Sequence, residues 1–281
     1  MNAKKRWKAT ALSKGGRFFI DAPVPVGDTA HLLRDLPAPA LVGFDFPIGL
    51  PANYAKAAGI DDFKAALATL PDDWFDVCEN LEDVSFKRPF FPKGSFAKGA
   101  YTPAMLAEKL GLSVNALRRA AERATGTATS LFWTNGPGQV GKGALAGWQE
   151  VIRPALDQQV AIWPFDGDLA TCLKQPITLA EIYPGAAAKR LGAKPKSKTK
   201  QAERQAVAPA LLRWCENRPI HLSDTAQVCL AAGFGSDDAF DAFVGLLSMI
   251  HVVLGHQAEA PPLTDSERRI EGWILGQATR G

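Results

Sequence analysis

The chain has 281 residues, 47% hydrophobic and 22% charged, with 25 glycines and 20 prolines. That is the make-up of an ordinary globular protein with a sizeable core, and it excludes disordered, collagen-like and disulfide-stapled classes. The 32 basic and 29 acidic residues leave a net charge of +3, so attraction to a polyanion must come from local clustering. Cys78, Cys172, Cys215 and Cys229 lie far apart without a C-x-x-C pair, which points away from zinc and towards a reducing cytoplasm. No membrane span is expected, because the most apolar stretch, Ala242 to Gly255, falls short of the ~20 residues a bilayer requires. The N-terminal MNAKKRWKATAL lacks the apolar run of a signal peptide.

The spacing predicts a hairpin from Arg6–Leu12 and Arg17–Val24, turned at Ser-Lys-Gly-Gly. Asp28 or Thr29 would cap a short helix ending at Leu36, and the nearly continuous apolar run Ala40–Ile48 reads as a central strand covered on both faces. From Pro51 to about Thr125 the pattern is helical, broken by RPFFPKG at Arg88–Gly94. Ser130–Thr134 reads as a short strand, NGPGQVGKG as a loop and Ala144–Leu156 as a helix. Val160–Phe165 and Ile177–Tyr183 are strand candidates, the second running into Pro184, a favoured first helical residue. Helices are expected near 201–217, 223–232 and 237–255, then a Pro-rich loop and the short EGWILG. Strands alternating with helices argue for a layered α/β sheet.

Acidic residues at strand and helix ends are the first functional candidates. Asp45 interrupts the apolar run just before Pro47, where the strand should end, and open α/β sheets gather ligands at the carboxyl ends of strands. Alternation sets Leu41, Gly43 and Asp45 on one face, so Asp45 is expected to be a buried carboxylate that needs a partner or a metal. Glu181 repeats the arrangement ahead of Pro184, with a salt bridge to a nearby Lys or Arg as the structural alternative. In GSDDAFDAFVGLLSMIHVV, Ser236 is a natural N-cap and Asp237 and Asp238 suit the helix dipole. Asp241 lies a turn deeper and shares its face with Asp238, Gly245 and Ser248. Acidic oxygens without a matching His/Cys set favour Mg²⁺ or Mn²⁺ over zinc, and a pair of such ions suits in-line displacement at phosphorus.

Basic residues supply the second group. Seven of them (Lys189, Arg190, Lys194, Lys196, Lys198, Lys200 and Arg204) crowd KRLGAKPKSKTKQAER against the single acid Glu203, and such a patch contacts phosphates without reading sequence. GPGQVGKG is one residue from a P-loop, with Gly143 where the Mg²⁺-binding Ser/Thr would stand, and its Gln139 and Lys142 are candidates to touch a phosphate. His31, His221, His251 and His256 are scattered, which speaks against a His-centred triad; His251 reads as a core residue, and Trp133 and Trp273 as packing.

Taken in order, VGFDFPIGLP, RPFFPKG, SLFWTNGPGQVGKGALAGW, AEIYPGAAAKRLG, DDAFDAF and EGWILG resemble the domain-of-unknown-function family 429, predicted nucleases. The likeness runs from about residue 40 to residue 276. It implies a single ribonuclease-H-like domain over 1–281, a mixed sheet flanked by helices with a largely helical insertion at about 52–128. It also implies metal-dependent phosphodiester hydrolysis, with Asp45, Glu181, Asp238 and Asp241 as catalytic residues and ligands of Mg²⁺ or Mn²⁺. Lys194, Lys196 and Lys198 would then receive nucleic acid. The family opens with a strand ending in an aspartate, whereas the first acidic residue here is Asp21. The chain is therefore expected either to start after that strand or to lack that ligand, and a non-catalytic nucleic-acid- or protein-binding module is the alternative. A phosphotransferase built on GPGQVGKG is a third possibility.

Overall fold

A computed structural model describes residues 6–27, 32–94, 96, 100–126, 130–136 and 139–278. The candidates Asp28, Thr29 and His31 lie outside them. The described elements, in chain order, are strands β1 (Trp7–Lys8), β2 (Ala11–Lys14), β3 (Arg17–Ile20), β4 (Val24–Pro25) and β5 (Ala40–Phe44), then helices α1 (Ala52–Ala58), α2 (Phe63–Thr69), α3 (Pro103–Lys109), α4 (Ala120–Thr125), α5 (Gly141–Gly147) and α6 (Arg153–Ala155). There follow β6 (Val160–Ile162), α7 (Leu169–Cys172), β7 (Ile177–Glu181), α8 (Pro184–Arg190), α9 (Gln201–Glu216), β8 (Ile220–Leu222), α10 (Asp224–Ala231) and α11 (Asp237–Val253). The fold is mixed α/β, and its chain forms two compact units: 1–32 with 182–257, and 33–181 with 258–281.

In the first unit, β2 and β3 form an antiparallel hairpin and β8 joins β3 in parallel. The turn between β2 and β3 is Gly15-Gly16, with φ of 58° and 75°. Two consecutive positive φ values give the turn whose twist matches a two-residue hairpin, and two glycines adopt them without strain. Ile20 and Leu222 point inward to a core built from α8, α9, α10 and α11, with Leu211, Phe240, Phe243 and Leu247 at its centre. The Ser236 hydroxyl accepts from the Ala239 N–H, so α11 starts where the cap residue predicts.

In the second unit, β5, β7 and β6 make a parallel sheet with β7 central. The run Ala40–Ile48 yields only five strand residues, each half-buried, and β5 lies at the sheet edge among the described residues rather than at its centre. Ser130–Thr134 is buried but forms no strand, only a bridge from Trp133 to Phe91. Residues 32–36, expected to be helical, are turns. The expected helix near Ala144–Leu156 runs through α5, a π-type turn at Trp148–Ile152, and α6. Segment 52–125 contributes short helices and turns around an aromatic core in which Trp74 and Phe90 each contact the rings of Phe132 and Trp148 as well as each other. Trp133 and Trp273 pack as expected. Among the described residues, no helix is long and apolar enough to cross a membrane.

Candidate functional site

The four candidate carboxylates divide between the two units, Asp45 and Glu181 in one, Asp238 and Asp241 in the other. Each pair is best built from its own surroundings.

β5 and β7 run parallel with Phe44 opposite Glu181, so Asp45 lies one residue beyond the last register pair. Its side chain is exposed, which corrects the expectation of a buried carboxylate: the strand ends at Phe44, and Asp45 sits in the bend that follows. Glu181 is buried, and its counter-ion is not among the neighbouring basic residues. Arg119, 0% exposed, donates from Nη1 to Glu181 Oε2 and from Nη2 to Oε1, both at 2.7 Å. The Ile48 N–H also donates to Oε2 at 2.8 Å. Arg119 Nε pairs with Glu122 at 2.9 Å, and Nη1 also reaches the Ile48 and Glu271 carbonyls. Burial pushes Glu181 above the usual carboxylate range, against the opposing pull of Arg119 and the Ile48 N–H. Burial alone would loosen the Arg119 proton, but Glu181 and Glu122 outweigh it and hold the guanidinium charged. A fork-to-fork pair of this kind engages both Glu181 oxygens with a buried cation and reads as a structural clamp.

Of the P-loop-like segment, 137–138 lie outside the described residues. α5 has seven residues, and the Lys142 N–H donates to Gln139 Oε1 at 3.3 Å, a local cap. A Cβ at Gly141 would meet the Leu131 carbonyl at 2.7 Å, and one at Gly147 would meet the Phe46 ring at 2.3 Å. Gly141 and Gly147 thus let the helix approach 131–133 and Phe46.

In the other unit, Asp241 is 8% exposed on α11 and forms an ion pair with Lys198. Asp238, one turn earlier, is half-buried, and Arg190 Nη2 donates to Ser248 Oγ at 3.3 Å further along the same face. A Cβ at Gly245 would meet Ile182 Cδ1 at 2.5 Å, so this small residue lets the chain entering α8 lie against the polar face. Burial raises the Asp241 carboxyl above its ordinary value, Lys198 opposes it, and Asp237 and Asp238 add to the rise. The basic segment between α8 and α9 is anchored by Arg204, which is buried and donates to the carbonyls of Lys198, Gly233 and Phe234. Lys189, Lys194, Lys196, Lys198 and Lys200 are exposed around that anchor. Phe234 has a positive φ of 60°, uncommon for a bulky residue.

A carboxyl group whose proton affinity is raised by folding costs stability once pH climbs through the ordinary value and then through the raised one. Asp241→Asn removes that cost, and its partner Lys198, 51% exposed, can turn into water. The variant is expected to melt about 2–4 °C higher at pH 7, equivalent to about 1 kcal/mol, with no gain near the unfolded-chain pKa or below. A lower melting temperature at pH 7 would mean that the Lys198 pair outweighs burial.

Among the described residues, no group of three or more His, Cys, Asp or Glu side chains lies close enough to hold a metal ion. All four cysteines are free, and burial pushes the thiols up, Cys172 to about 11 and Cys215 to about 12. Among the described histidines, His251 is half-buried in ring contact with Trp214 and His256. Arg119 and Arg204, which organise the two regions, carry no local sequence signal, since their acceptors are set by tertiary structure. No protein family, curated protein or solved structure matches this chain.

Proposed function

We propose that the protein binds nucleic acid through the cationic segment between α8 and α9, on an α/β scaffold of the ribonuclease-H-like kind, in the reducing cytoplasm. One observation carries this reading: Lys194, Lys196 and Lys200 are exposed on a segment that Arg204 ties, through the Lys198 carbonyl, to those of Gly233 and Phe234, and Lys189 is exposed at the end of α8 beside it. Positive charge fixed in this way suits the sequence-independent contacts that a phosphate backbone demands. The free thiols fit the compartment.

A second reading, hydrolysis of phosphodiesters with Mg²⁺ or Mn²⁺, is favoured by two observations. Asp45 is exposed just past the carboxyl end of a parallel strand, and Asp241 is a buried carboxylate beside the lysine-rich segment. Kinship with the domain-of-unknown-function family 429 belongs to this reading. Among the described residues no group of three or more His, Cys, Asp or Glu could hold a metal ion, and Glu181 is paired with Arg119.

Anisotropy titrations of labelled DNA and RNA against salt test the first reading. Replacing Lys194, Lys196 and Lys200 by Gln is expected to lower the slope of log affinity against log salt by about two to three and to weaken binding on the order of 100-fold at 0.1 M salt. Equal slope and affinity would overturn the assignment. The same mixtures, incubated with Mn²⁺, Mg²⁺ or EDTA, decide the second: metal-dependent cleavage lost in both Asp45→Asn and Asp241→Asn supports a nuclease, and intact strands support a binding module.

A further inference from the structure

Alternation along β2, β3 and β8 sends Ile20 and Leu222 to the core and turns the opposite residues to solvent. Leu12 pairs with Phe19, Phe19 with His221, and Lys14 with Arg17, so these five residues share the outer face. Leu12 is 60% exposed and Phe19 39%, and Lys14, Arg17 and His221 are exposed as well. The Phe19 and His221 rings are neighbours, centroids 5.5 Å apart with their planes tilted by 57°. Beyond the strand end, Asp21 accepts hydrogen bonds from the Ser223 and Thr225 hydroxyls, the first at 2.5 Å.

We infer that this face is a stacking platform for the bases of single-stranded nucleic acid, with the Phe19 and His221 rings under two successive bases and Lys14 and Arg17 beside the backbone. The inference rests on the nucleic-acid reading above and adds a strand class to it. Ring surfaces on an open sheet flanked by cations match single strands, whose bases are free to splay and stack; a duplex keeps its bases inside. The charge favours a polyanion: the strand residues of this face carry two cations, Lys14 and Arg17, and no acid, which complements a phosphate backbone.

The experiment compares oligothymidylate with a duplex of equal length, by anisotropy and at several salt concentrations. Phe19→Ala and His221→Ala are each expected to weaken oligothymidylate binding about tenfold, with duplex affinity and the salt slope unchanged. Phe19→Trp should bind like the parent, since it keeps a ring, and the exposure of Phe19 lets every variant fold, checked by melting temperature. If the parent binds and both alanine variants bind oligothymidylate equally well, the platform is wrong while the lysine-segment reading stands. If the parent binds neither strand type, both fall. If the parent sediments as a dimer and Phe19→Ala as a monomer, the face is a contact between copies of this chain and the inference is overturned.

Discussion

Replacing Arg119 by Met is expected to destabilise the second unit by about 3–5 kcal/mol, measured from the urea midpoint at neutral pH. The reason is the company Arg119 keeps. Its guanidinium is wholly buried, both Glu181 oxygens and one Glu122 oxygen depend on it, and the Ile48 and Glu271 carbonyls accept from it as well. Methionine fills a similar volume but strands two buried carboxylates, and leaving a buried charge unpaired costs more than the pair itself contributes. The sign of the pH dependence follows. Glu181 already titrates above its ordinary value, and without Arg119 it would do so further. A group raised in this way costs stability as pH rises, so the deficit should be largest at pH 7 and shrink towards the ordinary glutamate range. Adding Glu181→Met should recover a large part of the loss, because the double variant removes the stranded charge. A single variant within about 1 kcal/mol of the parent would mean that solvent reaches Glu181 and that the clamp is not what closes this site.

The contrast between Glu181 and Asp45 also shows what is legible in the sequence. The strand running into Pro184 and α8 and the helix after Ser236 form where expected, and the hairpin forms with its turn narrowed to Gly15-Gly16, Ser13 and Lys14 joining β2 while Trp7–Lys8 pairs instead with β4, because each is specified by residues within a few positions of one another. The failures are mostly non-local. Arg119 precedes Glu181 by 62 residues, with several helices and strands between them. The lysines just downstream of Glu181 look like better partners by sequence distance, but its counter-ion arrives from the turn before α4. β8 pairs with β3 from some two hundred positions away, and that pairing alone sets His221 beside Phe19. Asp45 looks buried only if alternation is carried one residue past the end of its strand. The aromatic run 130–134 has strand composition but is buried among rings, where packing outweighs propensity.

Gly49→Ala is expected to cost as much as the loss of Arg119, about 4 kcal/mol or more, and the two effects share an origin. Residues 48–50 cross 270–272, joined by a 2.8 Å hydrogen bond from the Leu50 N–H to the Ile270 carbonyl. At the crossing, a Cβ on Gly49 would stand 2.2 Å from the Glu271 carbonyl oxygen, and one on Gly272 would stand 2.2 Å from that of Ile48. These are the two carbonyls that accept from Arg119, so neither can retreat without breaking the clamp. Both glycines also have positive φ, 131° and 65°, which adds backbone strain. Gly59→Ala separates the contributions: Gly59 has a φ of 70° at the end of α1 with nothing within 4 Å of a new Cβ, so it reports strain alone, about 1 kcal/mol. The excess of Gly49→Ala over Gly59→Ala, read from urea midpoints, therefore measures how rigidly the crossing is held. Equal losses would mean that 270–272 moves aside at little cost, and Arg119 would then be expected to tolerate substitution as well.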